Sequence, residues 1–252
     1  MKDLSCFFAA LRFFTRLPVT GWVGHSAEQL NHAARWFPAV GWIVGGIGAA
    51  VTVAAWQVWT APVAILLGMI ATLFVTGAFH EDGLADTLDG FGGGWTREDA
   101  LSIMKDSRIG SYGAIGIGMA LLLKYVALGE LAVLPAPTFA LLLVAGHSVS
   151  RLASTALIFA LDYAREEGKA KPLATRLGGG ELAFAALCGL APCLWLPLPQ
   201  IGSALVLVAL VTLLAARTFV KRIGGYTGDC LGATQQLTEI AFYLGMACGC
   251  FS

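Results

Sequence analysis

The chain has 252 residues, 57% of them apolar and only 13% charged, with a mean hydropathy of +0.75. Soluble domains carry about 25% charged residues, so this composition excludes an ordinary soluble domain and points to a polytopic membrane protein. Sixteen basic residues balance sixteen acidic ones, and without a basic excess nothing favours a nucleic-acid partner.

In chain order, the N-terminal MKDLSCFFAALRFFTRLPVTG sets Leu4, Phe7, Phe8, Leu11, Phe14 and Leu17 at helical spacing beside Lys2, Asp3, Arg12 and Arg16. It lacks a small-x-small cleavage site and carries arginines inside its apolar part. It therefore reads as an amphipathic interfacial helix and not as a signal peptide. Apolar segments follow at 36–59, 62–79, 109–134, 137–161, 182–196, 201–216 and 238–250, against the ~20 residues a helix needs to cross a bilayer. The fold expected is all-α: an integral membrane bundle of about seven transmembrane helices, forming one domain over 1–252. Gly41, Gly45 and Gly48, and Gly113, Gly116 and Gly118, read as small-residue seams for close helix packing. The six cysteines form no C-x-x-C pair; for Cys248 and Cys250, packing is preferred over a soft-metal site.

The connections alternate between short uncharged turns and long polar stretches. The N-terminal region, 79–108, 162–181 and 217–239 hold fourteen of the sixteen basic residues. Lys and Arg accumulate on the cytoplasmic side, so the polar face is expected to meet the cytoplasm.

The segment FHEDGLADTLDGFGGG (79–94) concentrates four carboxylates, one histidine and five glycines. Asp82, Asp86 and Asp89 share one face if the segment is helical. Like charges at this spacing oppose a helix, whereas a divalent cation such as Mg²⁺, which prefers carboxylate oxygen, turns repulsion into coordination. The bland alternative is a solvated acidic loop. The other polar stretches supply cations: Lys105 and Arg108 in KDSRIGSYG, Arg165, Lys169, Lys171 and Arg176 in DYAREEGKAKPLATR, and Lys221 and Arg222 ahead of Asp229. Carboxylates ringed by cations suit phosphoryl transfer; a cation channel needs the carboxylates without the ring. Within the spans, Arg151 requires a partner or a wet cavity, and His147 lies one turn away. Lys124 and Glu130 read as structural residues that snorkel towards an interface.

The blocks FFTRLPV (13–19), FHEDGLADTLDG (79–90), MKDSRIGSYG (104–113), SRLAS (150–154), YAREEG (163–168) and GGYTGDCLGA with Glu239 occur in this order over nearly the whole chain. They resemble the adenosylcobinamide-GDP ribazoletransferases, the cobalamin synthase family of bacterial and archaeal membrane enzymes. The resemblance implies a Mg²⁺-dependent transfer that joins α-ribazole, or its 5′-phosphate, to adenosylcobinamide-GDP with release of GMP. It implies Asp82, Asp86, Asp89 and Asp229 as metal ligands, Asp229 or His80 as proton acceptor, and Lys105, Arg108, Arg151, Arg165, Thr227 and Glu239 as substrate-binding residues. A homo-oligomer and other late cobalamin-pathway enzymes are the protein partners considered. Glu81 stands where the family pattern is apolar, so no ligand role passes to it. Asp86-Thr-Leu-Asp89-Gly90 partly echoes the D-x-x-D-G element of CDP-alcohol phosphotransferases, which form the alternative enzyme reading. A divalent-cation transporter is the alternative from another class.

Overall fold

The computed structural model describes residues 2–19, 31–165 and 177–248. Lys169, Lys171, Arg176 and Cys250, named above, lie outside these residues, as does the second half of YAREEG. Ten α-helices are found among the described residues: α1 (Lys2–Phe14), α2 (Phe37–Ala55), α3 (Ala61–Thr76), α4 (Phe79–Gly93), α5 (Arg97–Ile103), α6 (Ser111–Glu130), α7 (Ala136–Ala160), α8 (Gly179–Leu190), α9 (Leu198–Ile223) and α10 (Gly228–Ala247). Proline in the first turn starts α2, α3, α7 and α9, where its missing N–H would have had no helical partner.

Asn31–Ala55, Ser111–Val133, Ala136–Ala160 and Pro199–Ile223 are long and apolar enough to cross a bilayer. The pair α3–α4 adds a fifth crossing if counted as one broken span, bent by 87°. Each of the seven expected segments falls on helix, but among the described residues four of them, or five with the bent pair, are long and apolar enough to cross by length and composition. The helix α8 with its 3₁₀ extension to Trp195 is a shorter apolar helix than these. The break after α3 uses two left-handed residues, Gly77 (φ 66°) and Ala78 (φ 57°), and turns the acidic helix across the direction of α3.

At the C-terminal end two boundaries move. Arg217, Lys221 and Arg222 belong to α9, which runs to Ile223, and α10 begins at Gly228, ten residues before the expected 238. The Thr227 hydroxyl caps α10 by accepting from the Cys230 N–H at 3.3 Å. Thr234, Gln235 and Gln236, which read as loop by composition, lie on α10 and are buried, as are Thr238 and Glu239. Lys124 likewise does not snorkel: its Nζ is buried 2.8 Å from Gln236 Oε1 and 3.1 Å from Glu239 Oε1. Glu130 is exposed at the end of α6.

The first helix is amphipathic as expected, and part of its apolar face packs against protein while Leu4 stays exposed. Ala9, Ala10, Leu11 and Phe14 join Phe37, Val40 and Val44 of α2 in one buried cluster. Asp3 pairs with Arg35, and the Arg16 N–H donates to Val75 O at 2.7 Å. Gly41 and Gly45 form a seam with α7, where added Cβ atoms would stand 2.5 Å from His147 O and 2.8 Å from Leu143 O. Gly113 and Gly116 meet Asp89 and Leu88 of α4, whereas Gly118 faces open space and belongs to no seam.

Candidate active site

The helices α4 and α10 cross where each carries a glycine. A Cβ on Gly83 would stand 2.9 Å from Asp229 O, and one on Gly232 would stand 3.0 Å from His80 O. The backbones approach this closely only with both positions bare. The crossing brings Asp82 and Asp86 of α4 beside Asp229 in the first turn of α10, and all three line a cavity of about 540 Å³. Lys105, Arg151 and Arg165 line the same cavity, with His80.

Arg165 reaches it through a short parallel bridge between Tyr163 and Tyr226. The Ala164 N–H donates to Tyr226 O at 2.8 Å and the Tyr226 N–H to Asp162 O at 3.0 Å. The Arg165 guanidinium then sits 2.9 Å from Asp229 Oδ2, an ion pair without the alignment of a hydrogen bond. Thr227 Oγ1 donates to the same oxygen at 3.3 Å, which leaves Asp229 Oδ1 for other partners. Arg151 is 2% exposed. Its Nη1 donates to His147 O at 2.8 Å and lies 3.3 Å from His147 Nδ1. The Nε groups of Arg151 and Arg165 are buried without hydrogen-bond partners. Buried donors are normally satisfied, so both guanidinium groups retain capacity for an anion.

The carboxylates are under-neutralised. Asp86, on α4 and outside the four long spans, is pushed up to about 7 by burial first, then by Asp82 and Asp229, with Arg165 opposing. Among the described residues no group of three or more His, Cys, Asp or Glu side chains is drawn together tightly enough to hold a metal by itself. The donor chemistry of Asp82, Asp86 and Asp229 nonetheless fits a hard divalent cation that completes its shell with water and phosphate oxygens.

Several expected site residues stand elsewhere. Asp89 shares a helix face with Asp82 but lies about 10 Å further along the axis at 1.5 Å per residue. Its Oδ2 accepts from the Gly110 N–H at 2.7 Å and its Oδ1 from the Gly113 N–H at 2.8 Å, so it holds the start of α6 and is not among the cavity-lining residues. Arg108 is exposed and forks onto Asp106 at 2.6–3.1 Å, which holds that carboxyl down to about 2. Thr227 is fully buried as the α10 cap. Glu239, 1% exposed, contacts Lys124, accepts from Gln235 Nε2 at 2.8 Å and Tyr243 OH at 3.1 Å, and lies 3.5 Å from His147. None of Arg108, Thr227 and Glu239 is among the lining residues. The His80 ring is buried and stacked on Phe14, centroids 5.3 Å apart at 15°.

Sequence reasoning missed the aromatic lining of Phe13, Phe14, Phe37 and Phe79, and the contributions of Tyr163 and Gln235. The FF pair of FFTRLPV was the available signal, obscured because aromatic residues on an amphipathic helix are ordinary packing residues.

Fold and site together define a class: a multi-helix membrane protein with a cavity that sets clustered carboxylates against under-satisfied guanidinium groups, a donor set for phosphate esters. The chain belongs to the cobalamin-5-phosphate synthase family, whose profile matches residues 6–247. It is 47% identical over 246 residues to the adenosylcobinamide-GDP ribazoletransferase of Shewanella frigidimarina, covering 97% of this chain and 94% of the relative. The Ralstonia nicotianae protein of the same name is 50% identical over 237 residues, 92% of this chain and 90% of its own. That of Leptothrix cholodnii is 48% identical over 260 residues, 99% and 97%. No solved structure matches the chain.

Proposed function

We propose that this chain catalyses a Mg²⁺-dependent transfer from adenosylcobinamide-GDP to α-ribazole or α-ribazole 5′-phosphate, forming adenosylcobalamin or its 5′-phosphate and releasing GMP. The observation that carries the reading is the meeting of Asp82 and Asp86 with Asp229, together with Arg151 and Arg165, in one cavity. The family membership supports it and favours it over a CDP-alcohol phosphotransferase or a cation transporter.

Asp82, Asp86 and Asp229 would hold Mg²⁺, which when bound neutralises charge on the pyrophosphate. Arg165 and Arg151 offer their unpartnered N–H groups to phosphate oxygens, and Lys105 adds an exposed ammonium at the same cavity. A ribose hydroxyl oxygen bonds to the phosphorus on the corrinoid side. The bond from that phosphorus to the bridging oxygen breaks, and the oxygen leaves with GMP. The hydroxyl proton passes to Asp229 Oδ1, with His80 as the second acceptor lining the cavity; the requirement is hydrogen-bond reach. Asp89 and Glu239 support the site from behind, the first through α6 and the second through His147. The cavity opens to the cytoplasm from the inner membrane, a reading supported by the basic residues of the polar stretches.

The test is incubation of detergent-purified protein with adenosylcobinamide-GDP and α-ribazole 5′-phosphate, with Mg²⁺ or with chelator. GMP and a corrinoid with a completed lower ligand are expected with Mg²⁺ and absent with chelator. Failure of both products in Mg²⁺ rejects the reading, and CMP release from a CDP-alcohol would move the chain to the other transferase class.

A further inference from the structure

We infer that the aromatic end of the cavity is a stacking subsite for the flat base of the nucleoside nucleophile, with Phe13 and Phe79 as its specificity-determining walls; the inference rests on the transfer reaction proposed above. The two rings are half-buried and line the cavity, meeting at 72° with centroids 5.5 Å apart. Behind them the buried Phe14 stacks on His80 and sets its edge against Phe37, centroids 4.4 Å apart at 89°. Three residues after Phe13, the Arg16 N–H is tied to Val75 O just before the α3–α4 bend that precedes Phe79.

Phosphate chemistry needs no such surface. Phe13 and Phe79 leave partly exposed aromatic surface at the cavity, beside its charged residues, apolar area that ordinary packing would remove from water. A planar heterocycle covers it by stacking, which any base face can do. The choice between the two bases of the reaction follows from their rims. Guanine carries amide and carbonyl groups that lose affinity when buried without partners, and the four phenyl rings offer none. A benzimidazole nucleoside has an apolar rim and needs only the faces. Phe79 precedes Asp82 by three residues and Asp86 by seven, about 4.5 and 10 Å along the helix axis. That spacing sets a base on Phe79 and its ribose hydroxyl towards the carboxylates.

The experiment titrates purified full-length protein with α-ribazole 5′-phosphate, following benzimidazole fluorescence, and measures KM for both substrates. Phe79→Leu and Phe13→Leu keep apolar volume and remove the ring; Phe79→Trp restores a larger one. Each leucine variant should weaken ribazole phosphate binding and raise its KM about tenfold, the loss of one stacking partner, with KM for adenosylcobinamide-GDP within about twofold of wild type. Phe79→Trp should recover binding. Equal rises in both KM values, or ribazole phosphate binding indifferent to both leucine variants, overturns the subsite. Because the titration needs no turnover, ring-dependent binding in a protein that releases no GMP would support the subsite and reject the reaction instead.

Discussion

Two charged clusters occupy the same bundle, and the fold treats them oppositely. Around Glu239 a single carboxylate is met by Lys124, Gln235, Tyr243 and His147, each within 3.5 Å. Around Asp229 three carboxylates share a cavity with guanidinium groups whose Nε donors have no partners. Both clusters contain buried charge. Only the second leaves guanidinium donors unsatisfied, and unsatisfied donors mark where an anionic ligand belongs. Saturation, more than the number of charges, separates the structural cluster from the candidate site.

The contrast is broken most severely at Glu239. Glu239→Ala leaves Lys124 buried without its counter-ion, and unfolding in detergent should show a loss of about 3–5 kcal/mol. A melting profile unchanged from wild type would mean the cluster is wet and loosely held. The reverse is expected at the cavity. Asp86→Ala should lower GMP release by about 10²–10³, the scale for losing one group that stabilises charge in the transition state. Its metal-free melting temperature should hold or rise, because a repelling carboxylate is gone. A variant that loses activity only by unfolding would merge the two clusters into one class.

The same residue sharpens the comparison through pH. Burial with Asp82 and Asp229 raises the Asp86 carboxyl from 3.8 in the unfolded chain to about 7. Between those values the folded protein binds more protons than the unfolded one, so metal-free stability should fall as pH rises from about 4 to about 7. Mg²⁺ affinity should rise over the same window, since the ion needs the deprotonated carboxylate. Asp86→Asn should flatten both trends, measured by thermal melts and by calorimetric titration.

Smaller effects are expected where a carboxylate is already satisfied or a cation is exposed. Asp89→Ala removes two backbone amide partnerships at the start of α6 and should destabilise the protein by about 1–2 kcal/mol, the scale of a lost helix cap. Hydrogen exchange at Gly110 and Gly113 reads it directly. Arg108→Ala breaks only an exposed pair with Asp106 and should leave GMP release within about twofold. A large loss there would bring Arg108 back among the substrate-binding residues.

Much of this architecture was legible in the residues themselves. The apolar segments, the helical register of Asp82 and Asp86, the glycine seam of Gly41 and Gly45 and the need of Arg151 for company follow from periodicity and desolvation, which act within a few residues. What could not be read locally was the use of each polar group. Asp89 has the same type and spacing as Asp86, yet it reaches α6, because its position along the helix meets the Gly110 and Gly113 amides. The α10 boundary was missed because its polar residues find partners on other helices, and composition cannot distinguish a buried polar face from a loop.

The amino-acid sequence alone determined that the chain is a helical membrane protein with an acidic helix and surrounding cations, since hydropathy and side-chain spacing are properties of neighbours along the chain. Only the tertiary structure decided which of those charges remain open to a ligand. The crossing of α4 and α10 at Gly83 and Gly232, the saturation of Glu239 and the docking of Phe13 beside Phe79 depend on contacts between residues far apart in the chain.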